Sequence, residues 1–177
     1  AVFTIEALLL AYNILPNQNH LFPFFNWPCF KKQRFEFAIK SISNSLDKNK
    51  EFFAYAAENH PKEIATAMQN LNSFILSNKC NFQENDFFIK NNDIPNEKST
   101  LIVLNPPYGK RITSKTKDLY KQIGETIKKY YNYCSYAIIS PQNSCEIALN
   151  LPYDKKILFN NGGIPVSVII NNGKHKN

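Results

Sequence analysis

Four branched apolar residues, Leu101-Ile102-Val103-Leu104, run straight into Asn105-Pro106-Pro107-Tyr108, and no other stretch of the chain constrains its fold as tightly. Such a run suits a strand buried on both faces of a parallel sheet. Two consecutive prolines donate nothing to a ladder and fix φ, so the chain must leave the sheet there in one stiff conformation. Pro106 also holds Asn105 extended, which restricts where its amide can point. An amide oxygen, a prolyl carbonyl and an aromatic ring are thereby gathered at the carboxyl end of a strand. In open α/β sheets, ligands bind along that edge.

The chemistry of the cluster is specific. Asn105 and the Pro106 carbonyl present two acceptors to an incoming –NH2 group. Tyr108 offers a flat face that can stack on a base and exclude water. An amine conjugated to a ring is a poor nucleophile, because its lone pair is delocalised. Two acceptors holding its protons favour the pyramidal form and free the lone pair, which is catalysis by orientation and electrostatics. The plain structural alternative is a strand followed by a Pro-Pro turn with a surface tyrosine, since Asn-Pro is itself a turn signal.

Around this strand the pattern alternates helix and strand. Val2 to Ile14 predicts a helix apolar almost all round, hence buried, and ended by Pro16. A loop rich in aromatics follows, with Phe22, Phe24, Phe25 and Trp27, and then a helix over Cys29 to Leu46. Phe52 to Ala57 reads as strand, and Pro61 opens a helix at its first position that runs to about Leu76. Asn81 to Gln83 reads as a short strand, and Asn85 to Ser99 as a polar loop. Lys117 to Tyr131 is expected to be helix, Tyr136 to Ile139 strand, and Gln142 to Leu149 a short helix. Lys156 to Phe159 and Val166 to Ile170 predict a terminal hairpin that turns over Asn160 to Gly163. This order indicates a doubly wound α/β domain with a closing hairpin.

At 177 residues the chain suits one domain with a proper core, and its 44% hydrophobic and 20% charged content is that of a globular protein. No apolar run reaches the length of a membrane span. Cys29, Cys80, Cys134 and Cys145 are scattered, with neither a C-x-x-C pair nor a histidine at ligand spacing, so they read as reduced cytosolic thiols rather than a metal site. The formal net charge is +7, carried in clusters such as Lys31-Lys32-Gln33-Arg34 and Lys110-Arg111 with Lys115 and Lys117. Lysine dominates, which suits diffuse phosphate contact, or simply a set of solvated faces.

Three stretches carry a family resemblance. Val2-Phe-Thr-Ile-Glu6-Ala7, Phe24-Phe25-Asn26-Trp27-Pro28 and Leu104-Asn-Pro-Pro-Tyr-Gly-Lys-Arg-Ile112 resemble segments of the RlmL-like RNA guanine-N2 methyltransferases usually coupled to a THUMP domain. Leu119-Tyr120, Ile123-Gly124 and Asn161-Gly162 agree with the family's tail. The resemblance covers nearly the whole chain. It implies a Rossmann-like class I fold and a cytoplasmic enzyme that transfers methyl from S-adenosylmethionine to an exocyclic amine. Guanine N2 of ribosomal RNA is the expected acceptor, with no membrane or metal involved. On this resemblance, Asn105, Pro106 and Tyr108 are catalytic, and Pro107, Tyr108, Lys110 and Arg111 hold the substrate. Glu58 takes the cofactor ribose, Asp86 the adenine amine, Phe87 the adenine face, and Asn105 also borders the cofactor.

The same tetrapeptide also serves adenine-N6 and glutamine-N5 methylation, though the positive charge argues against a protein acceptor. The first glycine is Gly109, whereas the family's glycine-rich cofactor loop and first central strand would lie ahead of Ala1. Residues 1–177 are thus expected to be a catalytic domain incomplete at its N-terminus and without a THUMP module. A non-catalytic RNA-binding remnant is the competing expectation.

Overall fold

The computed structural model describes residues 2–15, 20–43, 51–59, 61–72, 76–108, 113–141 and 144–173. The chain divides into two compact units, Ala1–Asn85 and Asp86–Asn177.

In the first unit, α1 (Val2–Ala11), α2 (Lys32–Ser43) and α3 (Pro61–Asn72) accompany β1 (Ala54–Glu58) and β2 (Cys80–Glu84). The two strands pair in parallel, from Ala54 opposite Cys80 to Glu58 opposite Glu84. Pro61 does start its helix, where its missing N–H costs nothing. Leu8, Leu9, Ala54, Leu71 and Leu76 form the core of this unit.

The burial expected of α1 is not found. Only Leu8 and Leu9 are buried, while Val2 is 73% and Leu10 78% exposed. A two-stranded sheet covers one side of a helix, so an apolar sequence all round does not secure burial all round. The helix also stops at Ala11 rather than Ile14, because Asn13 enters the left-handed region at φ 49°. Pro16 lies outside the described residues.

The second unit holds β3 (Leu101–Leu104), α4 (Ser114–Tyr130), β4 (Ser135–Pro141), α5 (Ser144–Leu149), β5 (Lys155–Asn161) and β6 (Ile164–Asn171). Its sheet has the order β3-β4-β6-β5. β3 and β4 are parallel, and β6 is antiparallel to both β4 and β5. The hairpin turn is the two residues Gly162-Gly163, at φ +58° and +85°, tighter than the four residues expected. Two positive φ values in succession match the turn that follows the natural twist of a hairpin.

Thr113 caps α4: its hydroxyl accepts from the Thr116 N–H at 3.3 Å while the Thr113 N–H reaches the Thr116 hydroxyl at 3.4 Å. Tyr120, Ile123 and Ile127 then recur at helical spacing and pack with Tyr136, Ile138, Cys145, Leu149 and Ile169. β3 is a correction to the expectation from sequence. Ile102 and Leu104 pack toward this core, but Leu101 is 58% and Val103 46% exposed. Side chains alternate along a strand, and within this unit only one face of β3 meets the core. No described helix is long and apolar enough to cross a membrane.

Gly124 permits the closest approach of α4 and α5. A Cβ there would stand 2.0 Å from the Leu149 carbonyl oxygen. Backbone cannot yield as a side-chain tip can, so Gly124→Ala is expected to destabilise the fold by about 1–3 kcal/mol or more. Urea unfolding followed by circular dichroism should show a clearly lowered midpoint; an unchanged midpoint would contradict this packing.

Candidate functional site

Parallel β3 and β4 end on the same edge, and the antiparallel hairpin turns there as well. The β4–β6 register runs from Tyr136 opposite Asn171 to Pro141 opposite Val166, so Pro165, Ile164 and the glycine turn extend past the end of β4. Immediately after β3, Asn105 and Pro107 are exposed, Pro106 is buried and Tyr108 is half-buried. The Asn161 amide, beside the turn, donates from Nδ2 to the Tyr108 hydroxyl at 2.6 Å. A polar tether of this kind limits rotation of the ring out of the site. An open pocket of about 340 Å³ adjoins it, lined by Pro107, Tyr108, Lys115, Thr116 and Leu119.

The parts that hold this edge are themselves anchored. Tyr120 is fully buried and its hydroxyl donates to the Ile139 carbonyl at 3.1 Å. Burial, with smaller contributions from Cys145 and Tyr108, pushes its phenol far up, so it stays protonated. Glu146 accepts from Lys156 Nζ at 2.6 Å and from the Ser167 hydroxyl, tying α5 to both hairpin strands. The Tyr136 hydroxyl donates to the Pro152 carbonyl, and burial followed by nearby Asp154 pushes that phenol up to about 12. Asp154 Oδ2 in turn accepts from the Asn172 N–H at 2.7 Å. These bonds make the hairpin a firm support for Asn161.

The remaining expected residues are placed as follows. Glu58 is the last residue of β1 and half-buried, with Oε1 accepting from the Asn59 N–H at 2.9 Å. Glu84 stands opposite it in register on β2, so two carboxylates share the end of that strand pair. Asp86 is exposed and Oδ1 accepts from the Phe88 N–H at 2.9 Å, an Asx turn. Phe87 is half-buried, packs on the second unit's core and stacks at 6.1 Å on Tyr131. Lys110 and Arg111 lie outside the described residues.

Asn161, Lys115, Thr116, Leu119 and Glu84 were not singled out from sequence as site residues. Their sequence signals were the Asn-Gly-Gly turn, the basic cluster that holds Lys115, and the tail segments Leu119-Tyr120 and Asn161-Gly162. Among the described residues no three of His, Cys, Asp and Glu gather as a metal site would need. Nor do Cys80 and Cys145 offer a nucleophile. Burial pushes the Cys145 thiol up, although Ser144 and Lys117 oppose it, and burial pushes Cys80 up to about 11.

Residues 2–168 match the family described as RMKL-like, methyltransferase domain. The chain belongs to that family. A candidate RNA methyltransferase of Synechocystis, slr0064, is 25% identical over 171 residues, covering 94% of this chain and 44% of its own length. The ribosomal RNA large subunit methyltransferase K/L of Shewanella frigidimarina is 26% identical over 167 residues, covering 90% of this chain and 23% of its own. Among solved structures, the candidate methyltransferase SMU.472, in complex with SAH, superposes with a TM-score of 0.80 at 22% identity. That match covers 99% of this chain and 46% of the other. The RMKL-like chain thus spans less than half the length of these relatives.

With Cys134 and Cys145 buried and Cys29 exposed, iodoacetamide treatment of the native RMKL-like domain at pH 8 should alkylate Cys29 and spare the other two. Peptide mass spectrometry reads the outcome; early labelling of Cys145 would overturn its assignment as an inert core thiol.

Proposed function

We propose that this domain methylates an exocyclic amine of a base in RNA, most specifically guanine N2 in ribosomal RNA, with S-adenosylmethionine as donor. The two units act as parts of one catalytic domain over residues 1–177. The observation that carries the reading is Asn105, Pro106 and Tyr108 at the edge where β3 and β4 end, with Tyr108 tethered by Asn161. Family membership and the RNA-modifying names of the relatives support it. A net charge of +7 suits a polyanionic substrate.

The residue types fit the donor. When bound, it supplies an electrophilic methyl group. Glu58, a carboxylate at a strand end, suits ribose hydroxyls, and Glu84 beside it adds negative charge that favours a sulfonium. Asp86 accepts from the adenine amine, with Phe87 against the adenine face. On the acceptor side, Asn105 Oδ1 and the Pro106 carbonyl would accept hydrogen bonds from the two amine N–H groups and turn the lone pair out of conjugation. Tyr108 stacks on the base and excludes water. As the N–C bond formed, the donor's methyl–sulfur bond would break with its electron pair left on sulfur as a neutral thioether, and the nitrogen's extra proton would leave along the hydrogen bond to Asn105 or Pro106 toward water. Pro107, Lys110 and Arg111 border the flanking phosphates, and Lys115 in the adjoining pocket adds a further cation.

Asn105→Ala should lower methyl transfer by about 10²–10³-fold while leaving RNA affinity nearly intact, since it removes an oriented acceptor at the reacting atom. Asn161→Ala should lower kcat by about tenfold with little change in KM for RNA, the value of one hydrogen bond that orients rather than binds. Transfer of labelled methyl to RNA measures both. Unchanged turnover in Asn105→Ala would overturn the role given to its amide at the reacting atom.

No glycine precedes Gly109, so a glycine-rich cofactor loop is not among these residues, and the 177-residue chain is expected to bind S-adenosylmethionine more weakly than micromolar. Titration calorimetry decides this; micromolar binding would sink it.

A further inference from the structure

Helix α2 carries one of the basic clusters, and the site at Asn105 to Tyr108 does not use it. Phe35 points into a knot of rings with Phe22, Phe24, Phe25 and Phe30, whose centroids lie 4.9–5.8 Å apart. That knot anchors one side of the helix. Two residues on, Phe37 faces solvent and is 75% exposed. Helical spacing puts Gln33, Arg34, Lys40 and Ser41 on the same face, three or four positions from Phe37. All four are exposed. The only acid of the helix, Glu36, lies about 100° round the axis and is paired with Lys32 at 3.6 Å.

The outward face is therefore a bare aromatic ring with a cation one turn to either side and no acid. An exposed phenylalanine gains nothing from water, and flanking cations disfavour a basic or purely apolar partner. Flat rings joined by anions fit this face on both counts. In a duplex the base faces are already stacked, so the fit is to a single strand. We propose that this face of α2 is a stacking platform for single-stranded RNA, with Phe37 under a base and Arg34 and Lys40 on phosphates. The inference rests on the RNA function proposed for the domain and extends it to the unit that does not carry Tyr108.

The test is fluorescence anisotropy with a labelled single-stranded RNA of about 12 nucleotides and the 177-residue chain, without any methyl donor. Phe37→Ala should weaken binding about tenfold, and Phe37→Trp should bind at least as well as the parent. Arg34→Gln with Lys40→Gln should reduce the slope of log affinity against log salt by about 1.4, at about 0.7 for each phosphate no longer neutralised. Phe37 is exposed, so circular dichroism of each variant should match the parent. Unchanged affinity in Phe37→Ala, or an unchanged salt slope in the double variant, would overturn the proposal. So would a loss of self-association in Phe37→Ala with RNA affinity intact, which would make the face a protein contact. The catalytic reading is tested separately by Asn105→Ala: unaffected RNA binding in Phe37→Ala sinks only the platform, while loss of RNA in the α2 variants beside unchanged turnover in Asn105→Ala sinks only the catalytic reading.

Discussion

One antiparallel pairing, β6 against β4, determines what meets at the carboxyl edge of the second unit's sheet. Had the last strands continued the parallel run, each would have ended at that edge and returned by a crossover. Because β6 runs against β4, the two-glycine turn lies beyond Pro141 instead, on the side where Asn105 to Tyr108 leave β3. Asn161 then reaches Tyr108, while Glu146, Lys156 and Tyr136 hold the hairpin base. The tether on the ring is as firm as that pairing.

Under this edge the packing leaves little freedom. α4 presents Tyr120, Ile123 and Ile127 to β4, and α5 lies against α4 so closely that position 124 has room only for hydrogen. Tyr120 and Cys145, both buried, have their acidic groups pushed up and so stay neutral near neutral pH. Charge is supplied from the rim by Lys115. Two carbonyl-type acceptors and a cation beside the ring suit a site that orients an uncharged amine on a charged polymer.

The first unit shows the contrasting case. Its small sheet covers one side of α1 and leaves Val2 and Leu10 exposed, whereas the aromatic knot on α2 is closed on itself. Glu58 and Glu84 sit together at the strand ends because β1 and β2 are parallel and in register, a neighbourhood that their separation in sequence conceals.

Local rules made several features legible from sequence alone. Prolines 106 and 107 ended β3 at Leu104, Pro61 began α3, and Asn-Gly-Gly marked the hairpin, since each depends on backbone geometry within a few residues. The acceptor pair and the ring of the candidate site were legible for the same reason, being contiguous. Burial was not: Leu101, Val103 and most of α1 are as apolar as core residues, but exposure depends on which elements pack alongside. What Asn161, Lys115 and Glu84 meet was hidden too, because each reaches its neighbourhood through strand register or helix placement. The sequence by itself therefore determined the boundaries that proline and glycine mark, and which acceptors and ring leave β3 together. Only the tertiary structure decided what is buried and what steadies that edge, since those depend on contacts between residues far apart in the chain.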